Sequence, residues 1–218
     1  TMKMYKKVMA AALAGVMTVS MSATAFAADD DGYILKATNE DSKSSDNDLV
    51  IAIEGSVSSM DPANIPDTNA ISATYETLVS FDENQELTGK LAESWEVSDD
   101  SLTYTFKLRQ GVKFQDGTDF NAAAVKANYD RVVNKDNNLR QRRTFIVTNE
   151  DGSETPRVDS IETPDDYTLV IKLTQAWAPF INRLTQFCII SPAALEEYGN
   201  DIMNHPCGTG PYVCTEWE

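Results

Sequence analysis

The alternation of apolar and polar side chains along residues 92–109 predicts a β-hairpin. Every second side chain from residue 102 to 108 is apolar, and the intervening ones are threonine, threonine and lysine. This period of two is typical of a strand with one buried face. Trp95 and Val97 continue the apolar face on the preceding strand, and the turn falls at residues 98–101. The residues expected on the buried face of the second strand are Leu102, Tyr104, Phe106 and Leu108.

A helix with a marked start follows the hairpin. An Asp-Gly pair at residues 116–117 interrupts the strand pattern. Asn121 occupies the position of an N-cap, and Phe120 and Val125 have the spacing of a hydrophobic staple. The apolar stripe of the helix is then Val125, Tyr129, Val132 and Val133.

The region before the hairpin contains a short buried strand and a helix. Residues 49–53 form the apolar run expected of the strand. Further on, apolar side chains recur with helical spacing and predict a helix that continues to residue 79. The residues on its apolar face are Ile71, Tyr75, Leu78 and Val79.

Several different elements are predicted after this helix. A polar excursion covers residues 134–155, and a second hairpin turns at residues 164–166. Pro179 opens a helix, residues 187–190 form a buried strand, and residues 192–198 make another helical turn. The apolar positions assigned here are Tyr167, Leu169, Ile171 and Leu173 in the hairpin, and Phe180, Ile181 and Leu184 after the proline.

The amino terminus has the three parts of a secretory signal peptide. Lysines at positions 3, 6 and 7 form a basic region, residues 8–21 an apolar core, and residues 25–27 an A-x-A cleavage site. A transmembrane anchor is the alternative, but serine and threonine interrupt the stretch before it reaches the roughly 20 apolar residues of a span. We therefore expect residues 1–27 to be a signal peptide that is cleaved near Ala27, and the mature protein to be exported.

Residues 28–48 are acidic, polar and nearly free of large apolar side chains. Such a segment buries too little apolar surface to offset the entropy of ordering, so we expect a disordered acidic arm. The alternative is a loosely packed edge segment around residues 33–35.

The charge of the chain excludes some classes of partner. With 18 basic and 34 acidic residues, its formal net charge is −16. Nucleic acids and anionic membrane surfaces are bound through clustered lysine and arginine, so neither is an expected partner. A solvated acidic surface explains the charge, and a cationic or zwitterionic ligand is favoured only weakly.

Several motifs, in order, resemble the family 5 extracellular solute-binding proteins, the peptide, nickel and oligosaccharide receptors of ABC importers. They are SMDP at residues 59–62, YETLV at 75–79, the stretch from WEVS at 95 to GVKFQDGT ending at 118, and CGTGPY at 207–212. The resemblance covers about residues 49–218, which makes it far more specific than one short motif. The departures are Gln115 where histidine is common, Asp100 where glycine is common, and Cys207 before the GTG turn. Aspartate tolerates the left-handed conformation, so the hairpin is expected to form with Asp100 in that place.

The resemblance implies an α+β fold: the N-terminal lobe of a type II periplasmic-binding-protein fold with an inserted subdomain, and without the second lobe. It divides the chain into residues 49–81 of the first lobe, an inserted subdomain at 82–192, and a return into the lobe at 193–218. The chain stops shortly after the GTGPY turn and has Thr1 before Met2, so we expect both ends to be those of a partial reading frame.

The resemblance also implies a function. It predicts an extracytoplasmic substrate-binding subunit, expected to be a monomer, that captures a peptide or a related small solute. The closed form would deliver this ligand to a membrane permease driven by a separate ATPase. Val16 stands where a lipoprotein signal would have its cysteine, so a periplasmic or extracellular product without a lipid anchor is expected.

The resemblance implies that certain loops face a ligand-binding cleft, and these loops supply the candidate ligand contacts. The loop after the first strand, at residues 57–60, lies where ligands bind in open α/β sheets. The inserted subdomain would contribute from the polar excursion and from the strand at residues 187–190. The candidates are Ser58, Ser59, Met60, Tyr75, Arg143, Phe145, Phe187 and Cys188. The alternative for Met60 and Phe187 is that they are core residues without ligand contact. The alternative for the arginines of the polar excursion is that they lie on a solvated loop.

Two rival interpretations assign chemistry to the chain. A secreted hydrolase would need a nucleophile and a base, but the chain has one histidine, His205, and no G-x-S-x-G or S-x-x-K motif, so we expect no enzyme. His205, Cys207 and Cys214 could form a metal site, but the spacing matches no structural zinc pattern. Three alternatives stay open for the cysteines: a Cys207–Cys214 disulfide with Cys188 a buried thiol, three free thiols, or a pairing with a cysteine in the missing half. No cofactor or bound metal is expected.

Overall fold

The computed structural model describes residues 59–64 and 69–214, together with the backbone of two strands near the amino terminus. The residues form two compact units, residues 1–52 and 53–218. Most of the predicted signal peptide and acidic arm, the predicted strand at 49–53, and Ser58 lie outside the described residues. These assignments stay predictions.

The described part of the first unit is an antiparallel pair of strands. β1 (Phe26–Asp29) pairs with β2 (Gly32–Leu35), with Phe26 opposite Leu35. The pair spans the expected cleavage point, and β2 includes the apolar residues 33–35 for which an edge segment was the alternative to disorder.

The second unit contains eight described strands and five described α-helices. The strands are β3 (Val79–Phe81), β4 (Leu87–Gly89), β5 (Ala92–Val97), β6 (Thr103–Leu108), β7 (Ile146–Thr148), β8 (Glu154–Pro156), β9 (Val158–Asp165) and β10 (Thr168–Leu173). The α-helices are α1 (Asn69–Thr74), α2 (Ala122–Val133), α3 (Arg142–Phe145), α4 (Phe180–Arg183) and α5 (Pro192–Tyr198). Short 3-10 helices cover Lys135–Asn137, Leu184–Gln186 and Gly199–Met203.

A four-stranded antiparallel sheet forms the centre of this unit, in the order β5-β6-β10-β9. Phe106 lies opposite Trp95 of β5 and opposite Leu169 of β10, so the apolar faces of three strands line up. This confirms both predicted hairpins. The prediction for Val97 is wrong, since its side chain is 44% exposed near the end of an edge strand. The buried side chains on this face are Tyr104, Phe106, Leu108, Leu169, Ile171 and Leu173.

The turn between β5 and β6 has its left-handed residue at a different position from the predicted one. Ser101, not Asp100, has the left-handed backbone, with φ of 59°. Asp100 acts through its side chain instead, because its Oδ1 accepts hydrogen bonds from the Ser98 hydroxyl (2.6 Å) and the Leu102 amide (3.0 Å). Aspartate commonly closes turns in this way.

The helix α2 begins as predicted. The Asn121 side chain accepts a hydrogen bond from the Ala124 amide at 2.9 Å, which satisfies one of the amides that a helix start leaves unpaired. Phe120 and Val125 are both buried, as expected of a hydrophobic staple. The stripe is also confirmed, since Val125 and Val132 are buried while Tyr129 and Val133 pack against the core.

The helix predicted to reach residue 79 ends at Thr74. Its apolar residues are all buried as expected, but Val79 begins β3 and Tyr75 lies past the helix end. The Thr74 carbonyl accepts hydrogen bonds from the Gly210 amide (3.0 Å) and from the Gln115 side chain (3.2 Å). A continuing helix would need that carbonyl for the amide of residue 78, so a long-range contact ends the helix.

Other boundaries also differ from the predicted ones. Residues 187–190 are buried but form only an isolated bridge between Cys188 and Thr77. Two amides of this stretch bond to partners on separate segments, so no ladder develops. The Ile189 amide donates to the Glu76 carbonyl, and the Ile190 amide donates to the Asn128 side chain. The second hairpin turns at residues 166–167, the polar excursion contains α3 and the β7-β8 hairpin, and α5 has the predicted bounds.

None of the helices in the part of the chain that the structure describes has the length and apolar character needed to cross a bilayer. The central sheet and α2 fall within residues 82–192, the range predicted for an inserted subdomain, whose boundaries stay a prediction.

Candidate ligand-binding site

The loop at residues 59–64 is organised by the carboxylate of Asp61. The Asp61 amide donates to the Ser59 hydroxyl at 3.0 Å, and the Ala63 amide donates to Asp61 Oδ1 at 3.0 Å. The Gln141 amide then donates to the Ala63 carbonyl at 2.9 Å. The loop is thus fixed both internally and against the start of α3.

A buried ion pair joins this loop to α2. Arg131 Nη2 lies 2.6 Å from Asp61 Oδ2, and Nη1 lies 3.2 Å from Oδ1. The side chains are 10% and 4% exposed. Two-point contacts of this kind fix orientation as well as distance, so the SMDP loop has one position relative to the helix.

A row of three aromatic rings packs in and against the core. Phe145 contacts Tyr129 on one side and Phe187 on the other, each at 5.2 Å between ring centroids and near right angles. Edge-to-face contacts are a favoured geometry for aromatic pairs. The row connects α2 and α3 to the segment at residue 187, which lies more than 40 residues further along the chain.

Tyr75 lies buried beside the loop. Burial raises the pKa of its hydroxyl, and the negative charge of Asp61 raises it further, so the phenol stays protonated throughout the physiological range. The backbone of Cys207 lies near the hydroxyl, but without the geometry of a hydrogen bond.

The structure places the predicted contact residues in two environments. Six of them are buried: Ser59, Met60, Tyr75, Phe145, Phe187 and Cys188. Arg143 is exposed on α3, and Ser58 lies outside the described residues. Phe145 and Phe187 are in direct contact, and Met60 belongs to the same core. A buried side chain can support the surface of a binding cleft without touching the ligand. Contact between these residues and a ligand therefore stays a prediction.

Sequence reasoning missed the role of Gln115. Its side-chain Nε2 donates toward the carbonyls of Thr74 (3.2 Å), Gly210 (3.0 Å) and Tyr212 (2.7 Å). Its Oε1 accepts from the Gly208 amide at 3.2 Å. One signal for this role was available in the sequence, the position of Gln115 in the GVKFQDGT motif. The resembling family commonly has histidine at this position, and histidine also donates hydrogen bonds from a side-chain nitrogen.

A second hydrogen-bond network lies around Cys207, and the state of the cysteines bears on the disulfide alternative. The Ser191 amide donates to the Cys207 carbonyl at 2.9 Å, and burial raises the pKa of the Cys207 thiol to about 11. The Ser191 hydroxyl donates to Asp116 and also accepts from the Ala194 amide at the start of α5. The proposed Cys207–Cys214 disulfide is not formed, since Cys188, Cys207 and Cys214 are all thiols.

The metal-site alternative finds no support in the described residues. His205 stacks on the ring of Tyr198 at 4.0 Å and lies 3.4 Å from an Asp201 carboxylate oxygen. Across residues 59–64 and 69–214, no three histidine, cysteine or acidic side chains converge as metal ligands would.

Comparison with known proteins agrees with this fold. The solved structure of NikZ from Campylobacter jejuni in complex with Ni(L-His) matches with a TM-score of 0.67 and 28% identity over 76% of this chain and 32% of that chain. DppA from Helicobacter pylori in complex with the peptide STSA matches with a TM-score of 0.57 and 30% identity over 74% of this chain and 35% of that chain. The chain therefore has the α+β fold of part of a type II periplasmic binding protein, as predicted.

The sequence comparisons narrow the class. A model described as bacterial extracellular solute-binding proteins, family 5 middle, matches residues 86–218. The chain belongs to that family. It is 39% identical over 208 residues to the glutathione-binding protein GsiB of Shigella dysenteriae serotype 1. The aligned region covers 93% of this chain and 35% of the relative. The chain thus spans about a third of the length of that relative, and the matched relatives are binding proteins rather than enzymes.

Proposed function

We propose that this chain is part of the extracytoplasmic solute-binding component of an ABC importer, and that its ligand is a short peptide. The observation that carries the proposal is the 39% identity to a glutathione-binding protein over 93% of the chain. Glutathione is itself a tripeptide, and the structural relative DppA was solved with a peptide. Both relatives point to the same chemical class.

The binding mechanism would be enclosure between two lobes. In this mechanism the described unit would supply one wall, which includes the loop at residues 59–64 that the Arg131–Asp61 pair fixes to α2. A ligand gains affinity when closure removes water from both of its faces, so one rigid wall prepared in advance lowers the ordering cost of binding. The closed form would then dock on a membrane permease that is coupled to an ATPase, and the ligand would act by shifting the population toward that form.

A nickel complex is the second candidate ligand. NikZ, with its bound Ni(L-His), matches this chain with a higher TM-score than DppA. Its sequence identity to the chain is lower than that of the glutathione-binding relative, 28% against 39%. No cluster of side chains that could hold a bare metal ion is present among the described residues.

Isothermal titration calorimetry distinguishes these candidates. The complete protein as encoded is titrated with glutathione, with trialanine and with Ni(II)–histidine at equal concentrations. We expect saturable one-to-one binding of at least one of the two peptides and none of the nickel complex. Binding of Ni(II)–histidine alone would replace the proposal with the second candidate, and hydrolysis of either peptide during the titration would contradict both.

A further inference from the structure

The side chain of Arg157 is stacked on an aromatic ring. Its Cζ lies 4.0 Å from the centroid of the Trp177 ring. Tryptophan is the aromatic side chain that attracts a guanidinium most strongly. The ring covers one face of the guanidinium and leaves the N–H groups, which point outward in its plane, available for hydrogen bonds.

The backbone holds both members of this pair in place. The Arg157 amide donates to the Phe145 carbonyl at 2.8 Å, and the Arg157 carbonyl accepts from the Thr174 amide at 2.9 Å. The Trp177 carbonyl accepts from the Phe180 amide at 3.0 Å at the start of α4, and Trp177 packs against the core. Because the pair is already ordered, a ligand that binds the guanidinium would remove little conformational freedom from it.

The guanidinium of Arg157 has no acceptor in the described part of the chain. No hydrogen bond or ion pair joins its side chain to another residue there, and its Nε is buried without a partner. The two Nη atoms are not buried, so they form the accessible edge of the group. Arg131 and Arg142 use this same edge, since each donates from both Nη atoms to the two oxygens of one carboxylate. Arg157 therefore presents the donor pair that binds carboxylates elsewhere in this protein.

The surface around the ring carries no charge of its own. Residues 174–180 include no acidic or basic side chain. The exposed residues of this segment are Thr174, Gln175, Ala176, Ala178 and Pro179. Nearby in sequence, Glu154 is already paired with Arg142, and Asp159 forms no ion pair with Arg157. In a chain with a formal net charge of −16, an arginine without a partner beside an uncharged surface is complementary to an anion from outside.

We propose that Arg157 and Trp177 form a carboxylate-binding site. The two Nη groups donate one hydrogen bond to each carboxylate oxygen, and the Trp177 ring fixes the plane in which they do so. The C-terminus of a peptide and the acidic side chain of a protein both carry this group. Neither Arg157 nor Trp177 is among the candidate ligand contacts, and the site does not depend on which solute the protein carries.

The indole N–H signal of Trp177 in nuclear magnetic resonance reports on this site. The complete protein is prepared with isotope-labelled tryptophan, and Trp177→Phe identifies the signal. It is titrated with N-acetylglycine, which ends in a carboxylate, and with N-acetylglycinamide, which has a neutral amide in its place. The α-amide of N-acetylaspartate, whose carboxylate is on the side chain, is the third probe, and sodium chloride controls for ionic strength. Thermal melting checks that each variant is folded.

We expect the carboxylate probes to shift the Trp177 signal in a saturable way, and the neutral amide and chloride to leave it unchanged. A larger response to N-acetylglycine would identify a peptide terminus as the preferred source, and a larger response to the aspartate amide an acidic side chain; both support a carboxylate site. Arg157→Gln should abolish the shift. Arg157→Lys should weaken binding by about fivefold or more, because lysine keeps the charge but lacks the planar pair of donors.

Arg183→Gln is the matched control, because Arg183 is an exposed arginine on the neighbouring helix α4. It should bind within about twofold of wild type. Equal shifts with the neutral amide or with chloride would overturn the proposal, as would an unchanged response in Arg157→Gln. The absence of a shift with either carboxylate up to about 50 mM would also overturn it. If Arg157→Gln does not fold, Arg157→Lys takes its place, and binding as tight as in wild type would overturn the proposal there.

Discussion

Arg131, in the last turn of α2, holds the Asp61 carboxylate by two hydrogen bonds of 2.6 and 3.2 Å. Both side chains are nearly inaccessible to solvent. The pair fixes the SMDP loop to the helix, and it links two parts of the chain that are 70 residues apart in sequence.

Removing the arginine should destabilise the protein strongly. Arg131→Met leaves the Asp61 carboxylate buried without its partner, so we expect a loss of about 3–5 kcal/mol in the free energy of unfolding. Denaturant unfolding measures this loss. Lys126→Met is the control in the same helix, because its pair with Asp130 is exposed, and it should cost less than about 0.5 kcal/mol. Equal effects of the two variants would show that the buried pair does not hold the loop.

The centre of the sheet should be equally sensitive to lost volume. Phe106 is fully buried between Trp95 and Leu169 on neighbouring strands, so Phe106→Ala should cost about 3–5 kcal/mol. Val97→Ala, at an exposed position of the same hairpin, should change stability by less than about 0.5 kcal/mol. A loss below about 1 kcal/mol for Phe106→Ala would mean that the strands do not pack as described.

The GTG turn should not accept even one methyl group at Gly208. Its Cβ would lie 2.2 Å from the Thr74 carbonyl oxygen and 2.9 Å from the Tyr75 Cα, and these backbone atoms cannot move aside as a flexible side chain would. We expect Gly208→Ala to cost about 1–3 kcal/mol or more in thermal or denaturant unfolding. Gly152→Ala is the comparison, because it meets no atom within 4 Å but has φ of 81° and should cost about 1–2 kcal/mol. A loss at Gly208 below about 1 kcal/mol would contradict the close crossing of this turn and the end of α1.

Acid should weaken the Asp116 network. Burial raises the pKa of Asp116, but hydrogen bonds from Ser191 and Thr118 lower it by more, so the net value lies below the ordinary 3.8. A carboxyl with a lowered folded-state pKa contributes stability above its unfolded pKa and loses it as the pH falls through the folded value. The difference in melting temperature between wild type and Ser191→Ala should therefore narrow as the pH falls below about 4 and through the lower folded-state pKa of Asp116. The lost cap at α5 is independent of pH, so a constant gap between the two proteins would contradict this role for Asp116.

Local patterns in the sequence predicted the parts of the fold that depend on neighbouring residues. The alternation in β6 and the N-cap at Asn121 were enough to locate a strand and a helix start. The end of α1 at Thr74 could not be predicted in this way, because it depends on Gly210 and Gln115 from distant parts of the chain. The same holds for residues 187–190, whose amides bond to partners on separate segments.

The candidate site was predictable only in outline. The motif at residues 59–62 identified the loop, but its fixed geometry comes from Arg131, whose helical position gives no sign of a buried partner. Apolar residues such as Met60 and Phe187 have the same sequence signal in a core as in a cleft wall, and the structure places both in the core.

The central claim is that this chain supplies one wall of a two-walled peptide site. Calorimetry with glutathione tests it most directly, on the 218-residue chain and on a chain that continues to the length of the glutathione-binding relatives. A single wall leaves most of a ligand's surface in water. We expect saturable one-to-one binding by the longer chain and no measurable binding by the shorter one up to about 1 mM ligand. Equal, tight binding by both chains would contradict it, since the complete site would then lie within these residues.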